Sequence, residues 1–134
     1  MKIGESFNPH RLFVGLFIPN SIARCKDLSQ TAKLCLGRLF QFAGHDGEAY
    51  PSMEVLSEGI GISKRQCVRA VKELEEYGLI RVIRPEGKDR ILNKPSRYLF
   101  LWHSIYESEV NPSHVPSGGD IFDTSEVTFM TPQR

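Results

Sequence analysis

The sequence lacks the features that mark most enzymes, metal proteins and membrane proteins. In its 134 residues no apolar run approaches the ~20 residues that a membrane-spanning helix needs. Three cysteines and four histidines are scattered without a C-x-x-C or paired-histidine spacing, so we expect no metal site and reduced thiols. There is no glycine-rich phosphate loop and no nucleophile paired with a base, so we expect neither an enzyme nor a cofactor.

Length and charge predict one globular domain followed by a tail of different character. The composition, 40% hydrophobic and 25% charged, is ordinary for a globular protein. The N-terminus lacks the apolar core of a secretory signal, which favours a cytoplasmic protein. The net charge of +1 divides into +5 for residues 1–103 and −4 for residues 104–134. Residues 63–97 alone hold ten Lys/Arg and five Asp/Glu, so the positive charge is concentrated there.

The most informative stretch predicts a capped amphipathic helix after a sharp turn. Gly61 can adopt the positive φ of such a turn. Ser63 and Gln66 have the spacing of a capping box, and Gly78 is placed to end the helix. The apolar residues between them recur at the spacing of one buried helical face: Cys67, Ala70, Val71 and Leu74.

The polar side of this helix has an unusual order of charges. Its bases lie in the first two turns and its acids in the second half, whereas the helix dipole favours the reverse order. A polyanion facing the N-terminal half would favour the observed order. The alternative interpretation is that these are ordinary solvated lysines and arginines.

The rest of the chain predicts two further helices that precede the capped one. Ser29 is placed to cap a helix whose apolar positions extend to Ala43, and Ser52 to cap a short helix ending at Gly59 or Ile60. Asn20 or Ser21 is expected to cap one helical turn, and residues 49–51 are expected to be extended. The apolar positions of the two main helices are Ala32, Leu36, Leu39, Phe40 and Ala43, then Met53, Leu56 and Ile60.

A β-hairpin is expected after Gly78. Residues 79–84 and 97–102 have extended patterns, and the polar loop between them is expected to form a wing. Residues 1–12 are predicted to form an N-terminal arm, and residues 13–19 a short strand or extended arm. We place the domain at 13–106 and a flexible acidic tail at 107–134, with a docked strand at 126–130 as the alternative.

Two segments resemble known DNA-binding proteins. The motif GISKRQCVRAVKELEEYGLI with the following hairpin resembles the winged helix-turn-helix superfamily. The upstream part, with its I-P-N segment, L-S-x-x-A-K helix start and Y-P-S entry, is similar to the N-terminal domain of phage- and plasmid-type replication proteins. The resemblance covers residues 13–102. It implies an α+β, mainly α fold, with a three-helix core and a β-hairpin wing.

The sequence departs from the pattern of these proteins at two positions. Ser57 replaces the usual Ala of the second helix and is still small enough for close helix packing. Gln66 replaces the usual Thr of the third helix, so the DNA contact of that Thr does not carry over directly.

The resemblance implies sequence-specific binding of double-stranded DNA in the major groove. Within that expectation, Arg65 is the candidate for a bidentate guanine contact. Val68 could meet a thymine methyl group or pack against the wing. The expected DNA-binding residues are Ser63, Lys64, Arg65, Gln66, Val68, Arg69 and Lys72 on the helix, and Lys88, Arg90, Lys94 and Arg97 on the wing.

Origin recognition in phage or plasmid replication is the expected use of such binding. A transcriptional regulator is the alternative within the same class, and a protein-docking module in a replication assembly is the alternative from another class. Double-stranded DNA is the expected partner, with a homodimer and replication proteins as further options.

Overall fold

A computed structural model describes residues 2–109. Its fold is α+β and mainly α, which confirms the predicted class. The helices are α1 (Pro9–Leu12), α2 (Asn20–Ala23), α3 (Gln30–Ala43), α4 (Met53–Ile60), α5 (Lys64–Tyr77) and α6 (Lys88–Ile91). The strands are β1 (Glu48–Ala49), β2 (Ile80–Ile83) and β3 (Arg97–Phe100), and short 3₁₀ turns span Gly44–Asp46 and Ser104–Ser108. Most of the predicted tail, including residues 126–130, lies outside the described residues.

The core lies between α3, α4 and α5 and is closed on one side by the sheet. Each of the three helices begins at a serine whose hydroxyl accepts a backbone N–H in the first turn. Their apolar faces meet in one cluster that includes Leu36, Leu39, Leu56 and Leu74, each fully buried. The predicted periodicity of the three helices therefore corresponds to the packed face of each.

The sheet is antiparallel, with the order β1-β3-β2. β2 pairs with β3 from Ile80 opposite Phe100 to Ile83 opposite Arg97, which is the predicted hairpin. Glu48 of β1 lies opposite Leu99 of β3. β1 therefore begins one residue before the extended segment predicted at residues 49–51. Pro51 has no N–H to donate to a neighbouring strand, so pairing ends before it.

Two local predictions need correction. α2 begins at Asn20, and its N-cap is Pro19 rather than Asn20 or Ser21, with no side-chain cap. The Ser21 N–H donates instead to the Glu109 carboxylate at 2.5 Å, so a residue distant in sequence satisfies it. The wing is not an open loop, because residues 88–91 form the helical turn α6.

Residues 13–19, which we call the apolar segment, are extended and cross the back of α3. The crossing point is Gly37, where an added Cβ would lie 2.8 to 2.9 Å from atoms of Leu16, Phe17 and Ile18. Glycine is therefore required here by close packing rather than by its backbone angles.

The helices of residues 2–109 are all too short or too polar to cross a bilayer.

Candidate nucleic-acid interface

Reciprocal hydrogen bonds fix the first turn of α5. The Ser63 N–H donates to Gln66 Oε1 at 3.0 Å, and the Gln66 N–H donates to Ser63 Oγ at 3.1 Å. This confirms the predicted capping box. Both side chains belong to the expected DNA-binding set, and both are already used in the cap. Within residues 2–109, Gln66 Nε2 has no hydrogen-bond partner, so it is the part of that side chain left for a ligand.

The turn between α4 and α5 is short and internally bonded. Gly61 has φ 81° and ψ 34°, a left-handed conformation in which other residues are strained. The N–H groups of Gly61 and Ile62 both donate to the Ser57 carbonyl, at 2.9 and 3.1 Å. Ser57 itself is buried, and its hydroxyl donates to the Glu54 carbonyl at 2.9 Å. The pair of helices is therefore a helix-turn-helix whose second member has a fixed direction.

The inner face of α5 is packed into the core. Cys67, Ala70, Val71 and Leu74 are all at most 3% exposed. A hydrogen bond with Cys67, together with burial, raises the pKa of the Cys35 thiol. Behind the helix, burial raises the pKa of Tyr98 to about 12. The groups beneath α5 therefore act as packing.

The outer face of α5 carries four exposed bases, Lys64, Arg65, Arg69 and Lys72, which we call the basic stripe. None of the four forms an ion pair with an acid of residues 2–109. Val68 lies among them and keeps 47% of its surface exposed. Because residues 65, 68, 69 and 72 are spaced i, i+3, i+4 and i+7, they share one side of the helix.

Two of the three acids in the second half of α5, Glu73 and Glu75, have partners inside the protein. Glu73 accepts hydrogen bonds from the Ser29 N–H and hydroxyl, both at 2.7 Å, at the start of α3. Glu75 pairs with Arg84 at 3.2 Å, and this bond raises the pKa of the arginine. The order of charges therefore needs no external polyanion to explain its acidic half. The four bases of the first two turns and Glu76 remain without partners among residues 2–109.

A groove of about 260 Å³ runs beside the basic stripe. It is formed by the first residues of α3 and one side of α5, and Thr31 and Arg69 lie on its walls. Thr31 was not among the expected site residues. Its place depends on how α3 packs against α5, for which the sequence has no local signal.

The wing residues divide into two groups. Lys94 lies 3.8 Å from Asp89 within the wing, and Arg97 lies 3.2 Å from Glu48 of β1. Lys88 and Arg90 are exposed on α6 and form no ion pair within residues 2–109. The four predicted wing bases are therefore not equivalent, and two of them are already partly neutralised.

The wing also exposes apolar side chains that the sequence analysis did not single out. Ile91 is 81% exposed and Leu92 is 63% exposed, directly after Arg90. Apolar residues beside bases can pack against sugars or base edges of a nucleic acid. Both residues stand beside the wing bases in the sequence, so their apolar character is visible there.

No cluster of three or more His, Cys, Asp or Glu side chains within residues 2–109 could hold a metal ion.

Comparison with known proteins agrees with this geometry. Residues 26–80, from just before α3 to the start of β2, match the family described as "Helix-turn-helix domain". A solved structure described as "N-Terminal domain of DNA binding protein" is similar, with a TM-score of 0.50 and 19% sequence identity. The match covers 74% of this chain and 84% of that chain. At this identity the likeness shows the fold, which is a helix-turn-helix with a β-hairpin. No curated protein matches the sequence.

Proposed function

We propose that this protein binds double-stranded DNA in a sequence-specific manner, with α5 in the major groove and the wing on the neighbouring backbone or minor groove. The observation that carries the proposal is the basic stripe: four exposed bases on a rigid, capped helix, without acidic partners among the described residues. The matched helix-turn-helix family and the similar DNA-binding domain support it.

The fixed position of α5 supports recognition of DNA base edges rather than non-specific electrostatic attraction. The capping box and four buried residues hold α5 in one position, so its outer side chains start from fixed Cα positions. Losing a cap of this kind typically costs ~0.5–2 kcal/mol of stability. Arginine and lysine side chains on such a helix can make directional contacts with the edges of DNA bases. A flexible segment makes such contacts only after losing conformational entropy.

We further propose that Arg65 reads a guanine and Val68 a neighbouring thymine methyl group. Arg65 lies in the first turn, the end of a recognition helix that usually reaches base edges. Val68 keeps 47% of its surface exposed on the same side, which favours contact with DNA over packing against the wing. A bidentate arginine–guanine pair contributes ~1–3 kcal/mol of discrimination.

The wing supplies contacts that depend little on sequence. Lys88 and Arg90 have no acidic partners in the described part of the chain, whereas Lys94 faces Asp89. A lysine or arginine that is already paired with an acid of the protein releases fewer counterions from DNA when it binds. We therefore expect replacement of Lys88 or Arg90 by Ala to reduce the slope of log Kd against log salt by about one unit each. The Lys94→Ala variant should reduce it less.

Fluorescence anisotropy with a random duplex at several salt concentrations measures these slopes. The Lys94→Ala variant is the matched control, because it removes one positive charge from the same wing. Equal slopes for the wild type and the Lys88→Ala/Arg90→Ala double variant would remove the wing from the interface.

Origin recognition in phage or plasmid replication is the biological use that we propose. It rests on the similarity of residues 13–102 to the N-terminal domains of such replication proteins. Binding of the protein to repeats beside a replication gene, measured by footprinting, would support this use. Footprints confined to promoters would favour the alternative, a transcriptional regulator.

A protein-docking module is the alternative from a different class. The excess of bases, ten against five acids within residues 63–97, argues against it, because such a charge balance favours a polyanionic partner. A protein that binds no duplex DNA at low salt, yet co-purifies with a replication protein through α5, would establish docking instead.

A further inference from the structure

The N-terminal part of the chain keeps an unusual amount of apolar surface exposed. Phe7, Phe13, Val14 and Phe17 are 50%, 65%, 94% and 61% exposed, and we call these four residues the apolar patch. The rings of Phe7 and Phe13 meet edge to face with their centroids 5.5 Å apart, so the N-terminal arm contacts the start of the apolar segment. Such surfaces on small domains usually mark an interaction site.

The backbone in the middle of the apolar segment is almost without hydrogen-bond partners. Among the described residues, the peptide groups of residues 14–18 make a single hydrogen bond, from Gln41 Nε2 to the Gly15 carbonyl at 3.4 Å. Leu16 and Ile18 face α3, while Phe17 between them points outward, as the period of a strand requires. An extended, unpaired, apolar stretch is a ready template for pairing with another strand.

The apolar segment crosses α3 away from the side of that helix that faces α5. Ala32, Leu36, Leu39 and Ala43 of α3 face the core that α3 shares with α5. Gly37, where the apolar segment crosses, is turned by about 100–160° around the helix axis from these four residues. A partner on the patch would therefore leave the outer face of α5 free.

We propose that the apolar patch is the interface for a second copy of this chain. The apolar segments of two copies would lie antiparallel across a two-fold axis, each covering the patch of the other. This proposal stands independently of what α5 binds.

The exposed area matches the requirement of a stable dimer. With ~200 Å² for each aromatic ring and somewhat less for valine, the patch exposes about 500 Å² of apolar surface. A standard interface buries about 800 Å² on each partner, of which roughly 60% is apolar, or about 480 Å². The patch therefore supplies the apolar part of one side of such an interface.

The chemistry of the segment favours self-association over a charged partner. Residues 13–19 contain no charged side chain, so two copies can approach without repulsion. A two-fold interface is formed by the same residues on both partners, and an antiparallel pair of short strands satisfies this condition. Gly15 is the midpoint between Phe13 and Phe17, so the axis would pass near it.

Disulfide crosslinking tests this geometry directly. A Cβ added at Gly15 meets no atom within 4 Å, so a Gly15→Cys variant should fold normally. The natural cysteines, Cys25, Cys35 and Cys67, are buried and should not compete. Mild oxidation of the full chain should convert most of the Gly15→Cys variant into a crosslinked dimer, while the wild type stays uncrosslinked. Failure to crosslink would overturn the antiparallel arrangement about Gly15.

Sedimentation equilibrium tests the interface without a crosslink. We expect the wild-type chain to dimerise with a Kd of about 10 μM or tighter. The Phe17→Glu variant should weaken dimerisation at least ~100-fold, because each copy would bury a carboxylate. Trp102→Glu is the control, since Trp102 is 64% exposed but lies outside the patch, and its Kd should stay within about threefold of wild type.

Sedimentation equilibrium also distinguishes the proposed dimer from other possible occupants of the apolar patch. A wild-type chain that remains monomeric at ~1 mM would overturn the proposal, because a standard-size interface binds far more tightly. Deletion of residues 110–134 should leave dimerisation unchanged. If that deletion instead turns a monomer into a dimer, the tail is the occupant of the patch and the proposal is wrong.

Discussion

Replacing Glu73 by Gln separates the internal role of the α5 acids from any effect on a ligand. The Glu73 carboxylate accepts two hydrogen bonds of 2.7 Å from Ser29, the residue that caps α3. Hydrogen bonds to a charged group contribute ~1.5–3 kcal/mol when shielded from water. Because this pair is near the surface, we expect a loss of about 1–2 kcal/mol in the free energy of unfolding. For a domain of this size that corresponds to a drop of roughly 4–12 °C in Tm.

The same substitution should strengthen DNA binding. Glu73 lies with Arg69 on the groove beside the basic stripe, so its negative charge opposes an incoming phosphate. Removing it should raise affinity for any duplex at low salt, with the gain fading as salt rises. Urea unfolding followed by circular dichroism gives the stability, and anisotropy with a random duplex gives the affinity.

Glu76→Gln is the matched control for this experiment. Glu76 is exposed on the same helix and has no hydrogen-bond or ion-pair partner within residues 2–109. Its replacement should change stability by no more than ~0.5 kcal/mol. If the Glu73→Gln and Glu76→Gln variants lose the same stability, the Ser29 contact is not what positions the acid, and the reasoning fails.

Two further predictions concern pH and the tail. Burial raises the pKa of Tyr98 from 10.0 to about 12, so its folding contribution is complete below pH 10 and is lost as the pH rises toward 12. Urea unfolding at pH 9 and 11.5 should therefore show a stability loss of about 2 kcal/mol from Tyr98, which the Tyr98→Phe variant removes. An equal loss in both proteins would contradict this assignment. Deleting residues 110–134 should leave Tm nearly unchanged and raise non-specific DNA affinity modestly at low salt, because it removes acidic residues. Deleting residues 108–134 also removes the Glu109 carboxylate from Ser21, so a Tm no lower than that of the shorter deletion would contradict the role of this contact.

Local signals in the sequence were sufficient for the three core helices, α3, α4 and α5, and for the hairpin. The capping serines, the apolar periodicity and the positive-φ glycines act within a few residues of each other, so they can be read without knowing the packing. Ser63, Gln66 and Gly61 are the clearest cases, since all three have the roles that their spacing predicts.

Contacts between residues distant in the sequence could not be predicted from such local signals. Glu73 bonds to a residue 44 positions earlier, and Arg97 pairs with a residue 49 positions earlier. The order of charges on α5 predicts an external polyanion, whereas Glu73 and Glu75 have partners inside the protein. The close approach at Gly37 likewise depends on where the apolar segment runs, which no local pattern specifies.

The most direct test of the account is the base preference of the Arg65→Ala variant. A binding-site selection with randomised duplexes gives the preferred sequence of the wild type, and titration of single-base variants gives the discrimination at each position. The account predicts that Arg65→Ala loses ~1–3 kcal/mol of discrimination at one base pair, while preferences elsewhere remain. A variant that weakens specific and random duplexes by the same factor would show that Arg65 reads no base, and would contradict sequence recognition by the first turn of α5.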